Sequence, residues 1–193
     1  MAIGRMLTRV TIGALFIGHG TQKLFGWFGG GGIEETAQFF DSLELRPPRR
    51  HALAAGAAEA GGGALLALGL ATPVAAALLS GVMLTAITKV HWKNGPWVAN
   101  GGYEYNAVLL AVLYELVENG PGRWSLDEQL GLEKRGTAWG LAALGAGAAG
   151  TALAIRVSEG FDTAASDEPM RAEAEYQETQ AEQAGSDQAR TAL

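Results

Sequence analysis

The chain of 193 residues contains no cysteine. This excludes disulfides, thiolate metal sites, iron–sulfur clusters and cysteine nucleophiles, so any sulfur chemistry would have to come from a partner. Charge is also scarce: Asp, Glu, Lys and Arg make up 18% of the residues against 48% apolar ones. The balance is acidic, with a net charge of -6, which argues against nucleic acid as a partner. No Ser–His–Asp set, zinc-ligand spacing or phosphate loop is present. The four glycines Gly29–Gly32 lack a following Gly-Lys-Ser/Thr, and no strand precedes them.

The charge is unevenly placed. Residues 161–193, largely DTAASDEPMRAEAEYQETQAEQAGSDQARTAL, hold almost no large aliphatic side chains. Such a segment buries too little surface to offset its ordering entropy and is expected to be a disordered acidic tail. Without it the body is much more apolar. Five segments then approach the roughly 20 residues needed to cross a hydrocarbon core. They run over Ile3–Phe28, His51–Ala71, a stretch from Thr72 (TPVAAALLSGVMLTAITKVHW), Tyr103–Glu118 and Gly136–Ile155.

Glycine is abundant, at 28 positions, and small residues recur every four: Ala52, Gly56, Ala60 and Ala64, then Ala146, Gly150 and Ala154. In water each glycine would cost a helix about 1 kcal/mol relative to alanine. In a bilayer the same spacing lets backbones approach closely. The expected fold is therefore an all-α, multi-pass protein of the cell membrane, with the lipid bilayer as its first partner. It would comprise five transmembrane helices and the tail. IEETAQFFDSLEL is predicted to form an amphipathic surface helix. In GPGRWSLDEQLGLEKR, Ser125 and Glu128 have the spacing of a capping box. Basic residues are divided almost evenly between the two sides, which leaves the orientation open.

Alternating helix directions bring the end of the first helix, the start of the second, the end of the third and the start of the fourth to one side. All three histidines, His19, His51 and His91, fall there, with Gln22, Lys23, Glu59, Lys89, Tyr103, Glu104 and Tyr105. His19 lies eight residues before Trp27, and Glu59 eight after His51, so each sits roughly 12 Å in from that side. A His19–Glu59 contact is expected. Arg5, Arg9, His19 and Lys23 lie within about 80° of one another on the first helix. Arg5 and Arg9 are expected to form structural ion pairs with Glu115 and Glu118, while His19 and Lys23 meet Glu59 and Glu104. Opposed stripes of this kind neutralise charges that would be costly in lipid. They either lock the bundle or form a ligand site. Haem held by His19 and His91 is disfavoured, because His91 lies closer to the interface, and no metal site is expected.

The order RMLTRVTIGALFIGHGTQKLFGWFGGGG, AAEAGGGALLALGLATP, GGYEYNAVLL and GPGRWSLD resembles the DoxX family of small membrane proteins. The likeness spans about residues 4–130 and places His19, Gln22, Lys23, Glu59, Glu104 and Tyr105 at the family's motif positions. The resemblance implies a four-helix transmembrane core over 1–131, with the transmembrane helix over 132–160 and the tail as additions outside it, and a link to quinone-dependent oxidoreductases or oxidative-stress assemblies. Three functions follow as expectations. The first is a quinone-linked accessory subunit, with His19, Lys23 and Glu59 serving the head group, Trp92 or Tyr105 stacking on its ring, and electrons drawn from a redox partner protein. The second is a non-enzymatic scaffold anchoring soluble redox proteins. The third is a small-solute or proton pathway through His19 and Glu59.

Overall fold

The computed structural model describes residues 2–161, and within them every regular element is helical. The expected tail lies outside the described residues except for Phe161. The helices are α1 (Ala2–Phe25), α2 (Gly32–Ser42), α3 (Pro48–Leu68), α4 (Thr72–Ala86), α5 (Glu104–Glu118), α6 (Leu126–Gln129) and α7 (Thr137–Phe161).

Local chemistry sets the boundaries. Pro48 opens α3, where its missing N–H costs nothing and its fixed φ suits the first turn. Gly69, at φ 62°, closes α3 with the paired bonds of a Schellman motif, Leu70 N–H to Leu65 O and Gly69 N–H to Leu66 O. Half of the expected capping box forms: Ser125 Oγ accepts from Glu128 N–H at 3.3 Å, but Glu128 Oε2 accepts from the N–H of Trp124, one residue before the cap, at 3.2 Å, while Ser125 N–H goes to Gly122 O. At its far end α4 widens into a π-helical turn over Ile87–His91 and then tightens over Trp92–Asn94.

The tightest packing joins α1 and α3, antiparallel and almost without side chains between them. A Cβ on Gly13 would lie 2.5 Å from the Gly63 carbonyl oxygen, and one on Gly20 would collide with the backbones of Gly56 and Ala60. The apolar core lies mainly among α1, α3, α4 and α5, around Phe16, Leu66, Leu79, Leu113 and Leu116. α2 covers α1 and α3, and α5 packs closely on α4 while its backbone stands farther from α1. α7 crosses α4 where Gly81 and Gly147 meet, and Thr85 Oγ1 and Thr151 Oγ1 hydrogen-bond at 3.2 Å.

Among the described residues, the helices over Thr72–Asn94 and Thr137–Phe161 are long and apolar enough to cross a membrane. Their most apolar windows are only 28% and 22% buried, so most of that surface faces outward.

The expected ion pairs of Arg5 and Arg9 with Glu115 and Glu118 are not formed. Arg5 donates to the carbonyls of Asn119 and Gly120, at 2.5 and 3.2 Å. Arg9, 3% exposed, donates to the carbonyls of Ala67 and Trp124. Both guanidinium groups sit at helix C-terminal ends, where unpaired carbonyls and the negative dipole end favour a cation. Glu118 instead accepts from Tyr114 and Thr137 hydroxyls, at 2.9 and 2.8 Å, and Glu115 from the Asn119 amide.

Candidate functional site

Glu59 is 3% exposed on the α3 face toward α1. Its partner is Lys23, whose Nζ lies 2.5 Å from Glu59 Oε2. The expected His19–Glu59 contact is thus replaced by one from the next turn of α1. The glycine contacts place Glu59 level with residue 19, but helical side chains lean toward the N-terminus. The long Lys23 chain therefore reaches back one turn to the carboxylate, whereas the shorter His19 ring turns to Gln22, Nδ1 to Oε1 3.1 Å.

The pair lies between two hollows. On one side a cleft of about 960 Å³ runs between α3, α4 and α7. Small residues line it: Ala54, Ala55 and Ala58 from α3, Ala77 and Gly81 from α4, Ala146 and Gly150 from α7. Its polar groups gather at one end, where Lys23 and Glu59 are joined by His51, Lys89 and His91, with Phe39 and Phe40 of α2 beside them. The π-helical turn carries Lys89, Val90 and His91 to this end together, and such turns recur at functional sites. On the other side a cavity of about 130 Å³ is bounded by His19, Lys23, Glu59, Tyr105 and Asn106.

Four of the six anticipated residues, His19, Lys23, Glu59 and Tyr105, therefore meet at one place. Gln22 and Glu104 line neither hollow. Gln22 fastens the following turn through Nε2 to Phe28 O at 3.4 Å, and Glu104 sits in the first turn of α5. Trp92 stacks on Tyr103, with ring centroids 5.6 Å apart, and Tyr105 faces the smaller cavity. The aromatic rings presented to the cleft near its polar end are those of Phe39 and Phe40.

His91 Nδ1 lies 2.7 Å from the Gly101 carbonyl. A carbonyl only accepts, so Nδ1 carries the proton and the neutral ring keeps Nε2 as an acceptor. His51 Nε2 is held by Arg46 O and Ser158 Oγ, at 3.1 and 3.2 Å, which ties α3 to the end of α7. Among the described residues no group of three His, Cys, Asp or Glu is placed to hold a metal ion.

A second buried carboxylate, Asp127 in α6, was not anticipated. It accepts from Ala71 N–H, Thr72 N–H and the Thr72 hydroxyl, at 2.8, 2.9 and 2.7 Å. It caps α4 from a distant part of the chain. The cue was available: the Asp of RWSLD is the acid left over once Ser125 and Glu128 are assigned to the start of the helix.

A family model described as DoxX matches residues 4–92, from α1 through the widened end of α4. A protein of Bacillus subtilis (strain 168) named "Putative oxidoreductase CatD" is 34% identical over 110 residues, which cover 57% of this chain and 75% of that protein. No solved structure matches the chain.

Proposed function

The chain belongs to the DoxX family, and from that premise we propose that it is a multi-pass membrane protein that binds a quinone as an accessory subunit of an oxidoreductase. The observation that carries this reading is the cleft between α3, α4 and α7: apolar along its length, with the Lys23–Glu59 pair and its buried carboxylate at one end. A membrane setting accounts for the outward apolar surface of α4 and α7. It also accounts for the aromatic residues at both ends, with Trp27, Trp92 and Trp97 exposed at one and Trp124 and Trp139 at the other. In this setting α1, α3, α4 and α5 form the four-helix core and α7 is the fifth span.

The residues present fit a quinone. The ring needs donors and acceptors at its oxygens and a nearby group that exchanges protons, while its chain needs an apolar channel. When bound, a quinone supplies a carrier of two electrons and two protons. Lys23 and Lys89 would hold the ring oxygens as donors, and His91 Nε2 would serve as an acceptor. Glu59 holds or releases a proton at its carboxyl oxygen, and Phe39 and Phe40 keep water from the head of the cleft. The chain has no cysteine to build a cluster, so its electrons come from a partner protein.

The test is purification in mild detergent followed by chromatography of the lipid extract. Quinone should co-purify with the wild type and be lost from Glu59→Ala. Adding quinone back at 100 times its Kd should stabilise the protein by about 2.7 kcal/mol. Absence of both quinone and any thermal shift would overturn the reading.

A further inference from the structure

Lys23, Glu59 and Met83 line both hollows, so the ion pair is a partition with a different environment on each face. We propose that the smaller cavity is a water-filled proton port for Glu59, with His19 as the group that exchanges protons at its mouth. The proposal builds on the quinone reading only in taking Glu59 as the protonatable group of the cleft.

The cavity is graded in polarity. Tyr105, the second residue of α5, is 50% exposed and marks the end nearest the chain's turn-side surface. His19, level with Glu59 on α1, is exposed, with Gln22 as its hydrogen-bond partner. Glu59 and Asn106 are the cavity's buried polar groups, and Asn106 is 6% exposed with its amide donating to the soft Met83 sulfur at 3.4 Å. Phe16 and Leu109 close the floor. A volume of about 130 Å³ is well above the roughly 10–15 Å³ that one ordered water needs, and the polar partners required to hold water are present. The cavity lies between α1 and α5, whose backbones stand farther apart than those of α1 and α3.

The groups facing Glu59 are Lys23 and His19 from α1, Tyr105 from α5, and Lys89 and His91 from α4 across the cleft, with His51 on its own helix; α2 and α7 bring no titratable side chain to either hollow. Among those of the cavity, His19 carries an imidazole, whose two ring nitrogens can each take up or release a proton. In the inward step, imidazolium N–H of His19 breaks as a cavity water takes the proton. That water then protonates a carboxylate oxygen of Glu59, and the reverse sequence discharges it.

The experiment is infrared spectroscopy of the full chain in lipid nanodiscs without quinone, following the carboxyl band after a pH jump, with Glu59→Gln assigning the band. His19→Ala should slow Glu59 protonation at least tenfold and leave its midpoint unchanged, and added imidazole should restore the rate. Leu109→Trp, which fills the cavity, should slow it without rescue by imidazole. An unchanged rate in His19→Ala, a shifted midpoint at unchanged rate, or no Glu59 titration while the protein stays folded would each overturn the proposal. None of these outcomes depends on whether quinone binds.

Discussion

Replacing Asp127 by alanine removes a carboxylate that is 2% exposed and accepts three hydrogen bonds at the start of α4. A hydrogen bond to a charged group contributes roughly 1.5–3 kcal/mol, so three at the low end amount to about 4.5 kcal/mol. The anion also favours the positive end of the α4 dipole, by about 1 kcal/mol. Against this, relief of the carboxylate's desolvation returns some kcal/mol. The net expectation for Asp127→Ala is a loss of about 3 kcal/mol. Asp127→Asn should cost less, about 1.5 kcal/mol. Its oxygen can stay on the Thr72 N–H and hydroxyl, while its amide nitrogen turns an N–H toward that of Ala71. Unfolding in mixed micelles, titrated with a denaturing detergent and read by far-ultraviolet circular dichroism, measures both. Values within about 0.5 kcal/mol of the wild type for both variants, or Asn costing more than Ala, would refute the reasoning.

The Lys23–Glu59 pair should show coupling: Lys23→Met alone strands a buried carboxylate and should cost about 3 kcal/mol, more than the double variant Lys23→Met/Glu59→Leu, and additive melting shifts would contradict this. Gly20→Val should abolish folded protein in size-exclusion chromatography, because its side chain meets the backbones of Gly56 and Ala60. Gly18→Ala, with nothing within 4 Å of its Cβ, should be neutral or stabilise by about 0.5–1 kcal/mol in a thermal melt. On the native cysteine-free background, Thr85→Cys/Thr151→Cys should cross-link on mild oxidation and shift mobility after cleavage in the 131–136 loop; failure to cross-link would place α7 elsewhere.

Apolar runs and their punctuation announced the helices, because hydropathy and helix-stop chemistry are local. The second expected span, His51–Ala71, slid back to Pro48–Leu68 because Pro48 and Gly69 set its ends. Counting residues along antiparallel helices also gave the right level for Glu59. Which side chain would reach it was not legible, since that depends on length and lean: Lys23 arrives from a turn away while His19, level with it, does not. The arginines were misassigned for a related reason. A sequence displays glutamates as obvious partners, but backbone carbonyls at helix ends are visible only once the ends converge. Likewise the cleft arises where α7 crosses α4 at Gly81 and Gly147, and a spacing of small residues does not say which two helices will meet.

The contact of α1 and α3 through Gly13, Gly20, Gly56 and Gly63 has a mechanical consequence. Backbones this close interlock like a keyed joint, and a slip of one helical turn, about 5.4 Å, would drive Cβ-bearing residues into the facing chain. The two helices therefore behave as a fixed ruler on which Lys23 and Glu59 are marks that cannot drift apart. A movement that widens the cleft falls instead to the elements around that ruler, such as α7, held on α4 at Gly81 and Gly147 and by the Thr151 hydroxyl's bonds to Gly81 O and Thr85 Oγ1.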